Sequence, residues 1–280
     1  MGKNKLALVA PILKWAGGKR QLIHEIEKYI PRKFTTYYEP FVGGAAVLFY
    51  TQPPKAVIND VNAELMNLYQ VIKNDVDGLI ESLKNHKNEA EYFYKIRELD
   101  RDKNVYSRLT LIDRASRILF LNKTCYNGLF RVNKAGEFNA PFGNYKNPNL
   151  VNEITLRAVS NYFNKANIVF LNGDFEQAVR GIRKGSFVYL DPPYDPVSNS
   201  ANFTGYNKGG FNQAEQIRLK KLCDSLQQKG VKFLLSNSDT GFINDLYKSY
   251  KIEVIQARRA INSKADSRGE VNEVLVRNFE

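Results

Sequence analysis

Five short apolar runs, each cut off by turn-forming or acidic residues, constrain the fold of this 280-residue chain more than any other feature. They are residues 36–39 (TYYE) before Pro40, 56–59 (AVIN) before Asp60, and 168–171 (IVFL) before Asn172-Gly173-Asp174. Residues 187–190 (FVYL) precede Asp191-Pro192-Pro193, and 231–235 (VKFLL) precede Ser236-Asn237-Ser238. Such runs suit strands buried on both faces of a mostly parallel sheet. Helical patterns lie between them; in residues 212–229, Ile217, Leu219 and Leu222 fall roughly on one side. The alternation predicts an α/β fold built on an open, mostly parallel sheet.

Residues 61–161 read differently. They carry helical patterns at 63–73 and 113–122 and a hairpin-like piece at 130–139, with Asn133-Lys134-Ala135-Gly136 as its turn. The segment is also rich in Tyr, Asn, Lys and Arg. We expect an inserted helical plus β-hairpin subdomain at 61–161, between two halves of a sheet domain at 1–60 and 162–280. No internal repeat or low-complexity stretch interrupts this plan.

Charge narrows the partner. Lys and Arg total 41 against 29 Asp and Glu, a net charge of +12. On a folded chain that surplus points to a polyanion, with nucleic acid ahead of an anionic membrane. Apolar runs fall far short of the roughly 20 residues a membrane span needs. Lys14 interrupts the apolar N-terminal stretch, which argues against a signal peptide, and Leu6 argues against myristoylation. Cys125 and Cys223 are far apart and form no Cys-x-x-Cys pair, so neither a disulfide framework nor a zinc site is expected, and the cytoplasm is the simplest compartment. His24 and His86, the only histidines, are expected at the surface, and no metal site is expected.

The sharpest chemical feature is Asp191-Pro192-Pro193-Tyr194, directly after an apolar run. In open α/β sheets ligands bind outside the carboxyl ends of the strands. Two prolines remove two N–H donors and fix φ at both positions, so a carboxylate, a rigid carbonyl and an aromatic face are presented together. That trio suits an exocyclic amine on a planar ring. Two acceptors could hold its two hydrogens, favouring a pyramidal nitrogen with an available lone pair, while Tyr194 stacks on the ring. The alternative is a turn that merely ends a strand. Residues 38–44 (YEPFVGG) form a second candidate, because a glycine pair after a strand allows close backbone approach to a ligand. Asp60 follows about 20 residues on, where an acid commonly holds ribose hydroxyls. The third is residues 14–20 (KWAGGKR), which gather the only Trp, two glycines and three cations, apt for a loop over a cofactor or phosphate.

Residues 14–19 (KWAGGK), 38–44, 59–62 (NDVN) and 191–194 (DPPY) occur in one order. Residues 126–131 (YNGLFR), 136–145 (GEFNAPFGNY), 201–206 (ANFTGY) and 235–239 (LSNSD) extend it over nearly the whole chain. The pattern resembles the Dam class of S-adenosylmethionine-dependent DNA adenine-N6 methyltransferases, and looks closest to the GATC-modifying enzymes of Dam and DpnM type. The resemblance implies a Rossmann-like methyltransferase sheet in which the 61–161 insert recognises DNA. Trp15, Lys19, Asp60 and Asp191 match positions lining the S-adenosylmethionine site; Glu39, Phe41 and Gly43 join them as expected cofactor contacts. Asp174 and Phe175 fall where the family contacts the cofactor's adenine. Asp191, Pro192, Pro193 and Tyr194 match the methyl-transfer pocket for a flipped adenine. Lys14 and Tyr145 match readers of the first guanine. Tyr126 and Asn127 match residues that enter the helix beside the extruded base, and Leu129 and Arg131 match readers of the second half of the site. Arg258, Arg259, Lys264 and Arg268 read as a basic loop that tracks phosphates.

The expected protein is thus a metal-independent, monomeric cytoplasmic enzyme. It methylates adenine N6 within GATC in double-stranded DNA by base flipping, and the sequence leaves restriction-modification and replication or repair marking both open as its role. Extrusion is needed because N6 is unreachable inside a duplex. The competing readings are an enzyme acting on GATATC or on cytosine N4, one acting on RNA, and a DNA-binding regulator without turnover. DPPY rather than SPPY leans towards adenine, and intact Asp60, Asp191 and Tyr194 argue against the regulator. Some relatives carry Arg where this chain has Asn144, so a contact made there is expected to be missing.

Overall fold

Val, Ile, Phe and Tyr crowd the apolar runs, and in a computed structural model of the chain each run becomes a strand of one sheet. The structure describes residues 6–15, 17–133, 135–197, 210–258 and 270–280. In chain order the strands are β1 (Tyr37–Glu39), β2 (Lys55–Asp60), β3 (Asn167–Asn172), β4 (Phe187–Leu190), β5 (Lys232–Ser238), β6 (Lys251–Arg258) and β7 (Glu270–Arg277). Among the described residues the sheet order is β3-β2-β1-β4-β5-β7-β6. The first five strands are mutually parallel. β7 inserts antiparallel between β5 and β6, placing Glu273 beside Ser238. The α/β sheet is therefore as expected, with an antiparallel pair at one edge that the sequence reading did not anticipate.

Side chains alternate across the sheet. On β4, Phe187 and Tyr189 face one core, and Val188 and Leu190 the other. The first core is covered by α1 (Ile23–Lys28), α2 (Ala46–Thr51), α3 (Ala63–Asn74), α4 (Val76–Lys84), α5 (Ala90–Glu98), α7 (Leu111–Thr124) and α8 (Glu153–Lys165); α6 (Lys103–Arg108) lies outside it. The second is covered by α9 (Phe175–Ala178), α10 (Gln213–Gln228) and α11 (Gly241–Tyr247). Segment 61–161 is helical, as its periodicity predicted, and its core is continuous with that of the first sheet face. The piece at 130–139 forms a hairpin with one bridge, Val132 to Phe138, rather than a ladder. Asp100, 7% exposed, anchors it by accepting the Phe138 N–H at 2.8 Å while paired with Arg117 at 2.9 Å.

Three expectations need correction. Ser236-Asn237-Ser238 does not end β5 as a turn; it continues the strand in full burial, because each side chain finds partners there. Ile217 is exposed, since α10 buries the stripe of Gln216, Leu219, Cys223 and Leu226 instead. His86 is half-buried rather than exposed: it stacks on Phe120 at 4.4 Å, with its ring nitrogens 3.0 Å from the Tyr92 hydroxyl and 2.9 Å from the Ser116 hydroxyl. Burial lowers it to about 4. His24 is exposed.

Candidate active site

The chain runs outward from β1 through β2 to β3, then crosses back to place β4 and β5 on the other side of β1. The change of direction opens a crevice beyond the carboxyl ends of β1 and β4, where open α/β sheets hold ligands. Glu39 ends β1, Asp60 ends β2 and Asp191 directly follows β4, so three carboxylates arrive at one rim from separate stretches of chain.

Each is held differently. The Asp60 carboxylate accepts the Gly43 N–H at 3.0 Å and the Asn62 N–H at 2.9 Å. Burial lifts its carboxyl above the ordinary range, and the backbone donors pull it back. Glu39, 2% exposed, accepts the Tyr37 hydroxyl at 2.8 Å. Burial holds its carboxyl well above the usual range against that bond, and nearby Asp191 raises it further. Asp191 lies 2.8 Å from Lys19 Nζ, in a pair with the lysine 4% and the aspartate 19% exposed. Burial pushes the Asp191 carboxyl up to about 6, Lys19 opposes this, and Glu273 adds to the rise.

The rest of the tetrad is equally constrained. Lys19 Nζ donates to the Gly17 carbonyl at 2.6 Å and sits 4.6 Å over the Tyr194 ring. The Tyr194 hydroxyl donates to Glu273 at 2.7 Å, and burial raises that phenol well above its ordinary value. The Pro193 carbonyl accepts Gln216 Nε2 at 2.9 Å, whereas among the described residues no donor reaches the Pro192 carbonyl. Behind the tetrad, Asn237 Nδ2 donates to Gln216 at 3.1 Å and Asn237 Oδ1 accepts the Asp195 N–H at 3.0 Å. Sequence reading assigned no role to Gln216, Asn237 or Glu273. Polar residues continuing the apolar run at 231–235 were the available signal for Asn237.

The glycine pair also makes room for a side chain of the protein itself. Gly43 has φ 44°, and a Cβ there would fall 2.9 Å from Trp15 Cδ1; one on Gly44 would fall 3.2 Å from Trp15 Cβ. The glycines thus seat the indole, which stacks on Phe130 at 4.7 Å. Asp174 caps α9 and pairs with Arg218, whose guanidinium lies 4.3 Å over Phe175. Phe175 is 4% exposed and packs with Phe41 at 5.2 Å. The β3 end is tied to the β2 end, as Asn172 Nδ2 donates to the Asp60 carbonyl at 2.8 Å and Asn59 Nδ2 to the Gly173 carbonyl at 3.0 Å.

The expected DNA-reading residues gather around the C-terminal end of α7. Lys14 and Asn127 are exposed, and Tyr126 is 60% exposed. Leu129 is half-buried. Arg131 donates through Nε to Asn139 Oδ1 at 2.8 Å and through Nη2 to the Asn139 carbonyl at 3.0 Å. The Tyr145 ring folds over Gly143, where a Cβ would lie 2.5 Å from Cε2. Asn144 has φ 51°, a left-handed conformation that Asn adopts more readily than Arg. Arg258 ends β6, whereas Arg259, Lys264, Arg268, Lys134 and segment 201–206 lie outside the described residues. Among the described residues no cluster of three or more His, Cys, Asp or Glu side chains could hold a metal ion, and no helix is long and apolar enough to cross a membrane.

A Rossmann-like sheet with an acid at the end of β2 and Asp-Pro-Pro-Tyr at its switch point defines a methyltransferase. The model of the D12 class N6 adenine-specific DNA methyltransferases matches residues 15–261, and the chain belongs to that family. It is 42% identical over 279 residues to the Type II methyltransferase M1.LlaDCHI of Lactococcus lactis subsp. cremoris, covering 99% of this chain and 98% of that protein. It is 43% identical over 292 residues to the Type II methyltransferase M.MjaIII of Methanocaldococcus jannaschii, covering 97% and 99%. With the DNA adenine methylase of Escherichia coli K12 it shares 34% identity over 269 residues, covering 94% and 93%.

Proposed function

We propose that this adenine-N6 methyltransferase acts within GATC in double-stranded DNA, with S-adenosylmethionine as donor, as a cytoplasmic monomer. One observation carries the amine-methylation part of the reading: a half-buried carboxylate, a proline carbonyl without a described donor and an aromatic ring meet at the switch point. Ionised Asp191 and the Pro192 carbonyl accept the two N6 hydrogens of an extruded adenine and so expose the nitrogen lone pair. Tyr194, braced by Glu273, stacks on the ring. Catalysis here is positioning and electrostatics.

The residues present fit the donor. Asp60 and Asp191 bring carboxylates to the crevice, with Glu39 buried at the same rim, a surround that suits a ligand carrying ammonium and sulfonium charge. Asp60, already fixed by two backbone donors, keeps lone pairs for ribose hydroxyls. Trp15, Lys19, Glu39, Phe41, Gly43, Asp174 and Phe175 complete the proposed surround. When bound, the group supplies an electrophilic methyl carbon.

Residues 61–161 form the proposed recognition unit. Tyr126 is exposed enough to fill the gap left by an extruded base, which costs a few kcal/mol to open. Arg131, held in plane by Asn139, can bond a guanine edge. Lys14, Asn127, Leu129 and Tyr145 contact the same site, and Arg268 contacts phosphate. The test is incubation of unmethylated plasmid with S-adenosylmethionine, followed by methyl-sensitive and methyl-dependent GATC nucleases. Protection from the first with sensitivity to the second is expected; N6-methyladenine outside GATC would refute the sequence assignment.

A further inference from the structure

Asn122 lies near the end of α7, is 1% exposed, and was no part of the expected site. Its amide makes three hydrogen bonds to two separate stretches of chain. Oδ1 accepts the Lys14 N–H at 3.0 Å, while Nδ2 donates to the Lys14 carbonyl at 2.8 Å and to the Gly128 carbonyl at 3.0 Å. The side chain thus binds Lys14 as a neighbouring strand would, through both backbone groups. Two further contacts join the same stretches. Gly128 has φ 65°, and a Cβ there would fall 2.6 Å from Lys14 Cδ. One residue on, Trp15 stacks on Phe130.

What lies beyond each stretch gives the clamp its meaning. Four residues after Trp15, Lys19 pairs with Asp191. Tyr126 and Asn127 stand exposed just before Gly128, and Arg131 follows Phe130. We propose that Asn122 is a positioning residue that couples the cofactor loop at 14–19 to the DNA-recognition loop at 126–131. Each loop is ordered by the other through this amide, so occupancy of one site prepares the second. The inference rests on the reading that Lys14 and Tyr126 meet DNA.

The test is thermodynamic coupling in the full-length chain. Duplex affinity is measured with an unmethylated GATC oligonucleotide, with and without sinefungin, a cofactor analogue with no transferable methyl group. In the wild type the analogue should tighten duplex binding about fivefold or more, within the usual range for coupled sites. In Asn122→Ala that factor should fall below about twofold, while analogue affinity without DNA stays within about threefold. Unchanged coupling in the variant, absent coupling in the wild type, or equal loss of both affinities overturns the proposal. Asn122→Asp, which keeps the acceptor for Lys14 and removes both donations, repeats the measurement if the alanine variant does not fold. Hydrogen exchange on the wild type needs no variant: analogue alone should slow exchange at 126–131 and duplex alone at 12–15, and failure of either to cross over overturns the coupling. Lys14→Ala and Tyr126→Ala separate the two levels. Should neither weaken duplex binding, the recognition reading fails; should both do so while Asn122→Ala keeps its coupling, only the clamp fails.

Discussion

Replacing Asp191 with asparagine should stabilise the protein at alkaline pH while removing its activity. Burial raises the Asp191 carboxyl from 3.8 to about 6, so the folded state holds its proton more tightly than the unfolded chain. The sign follows: stability from this group is greatest at low pH and is lost as pH rises from about 4 to about 6. A shift of roughly 2 units at about 1.4 kcal/mol each makes the ionised form about 3 kcal/mol unfavourable at pH 8. Lys19 is already included in that balance, because the pair is present in the folded state. Asn imitates the neutral acid and leaves Lys19 an oxygen to meet. With about 2.1 cal/mol/K per residue of unfolding entropy, 3 kcal/mol corresponds to a Tm increase of about 5 °C. At pH 5 the wild-type carboxyl is largely protonated in the fold, and the gap should shrink to about half. Thermal and urea unfolding of both proteins at pH 8 and pH 5, beside a methyl-transfer assay, checks this. A destabilised Asp191→Asn at pH 8, or a gap independent of pH, would refute the claim that the site holds a strained carboxylate for catalysis.

Three shorter expectations accompany it. On the proposal that Asp191 works as a carboxylate, kcat/KM should be flat above about pH 6 and fall about tenfold per unit below it; an undiminished rate at pH 5 would count against the ionised form as the working one. Asp60→Ala should raise the cofactor KM by about tenfold or more, the worth of lost hydrogen bonds to a charged acceptor, with a smaller change in kcat; an unaltered KM would remove Asp60 from the cofactor site. Arg131→Ala should relax discrimination at one base pair by about 1–3 kcal/mol, compared across single-substitution duplexes. A uniform loss over all sequences would make Arg131 a phosphate contact.

The sequence alone determined the parallel half of the sheet, because strands buried on both faces must be apolar throughout and must stop at turn or acidic residues. Asp60 and Asp191 were legible for the same reason: a carboxylate at the end of such a strand is at the mouth of the sheet. Tertiary structure decided what period and spacing do not encode. β6 and β7 pair with each other and, among the described residues, join the sheet only through β5, so their antiparallel place and Glu273's bond to Tyr194 depend on contacts distant in the chain. Ser236-Asn237-Ser238 resembles a turn locally and becomes a strand because Tyr189, Asp195 and Gln216 satisfy its side chains. Gly43 signalled close approach, yet that Trp15 lies against it is decided by packing between residues distant in the chain. Asn122 looked like any polar residue late in a helix. Its role exists only because residues 108 positions apart meet there, and a buried amide is tolerable only when all its partners are present.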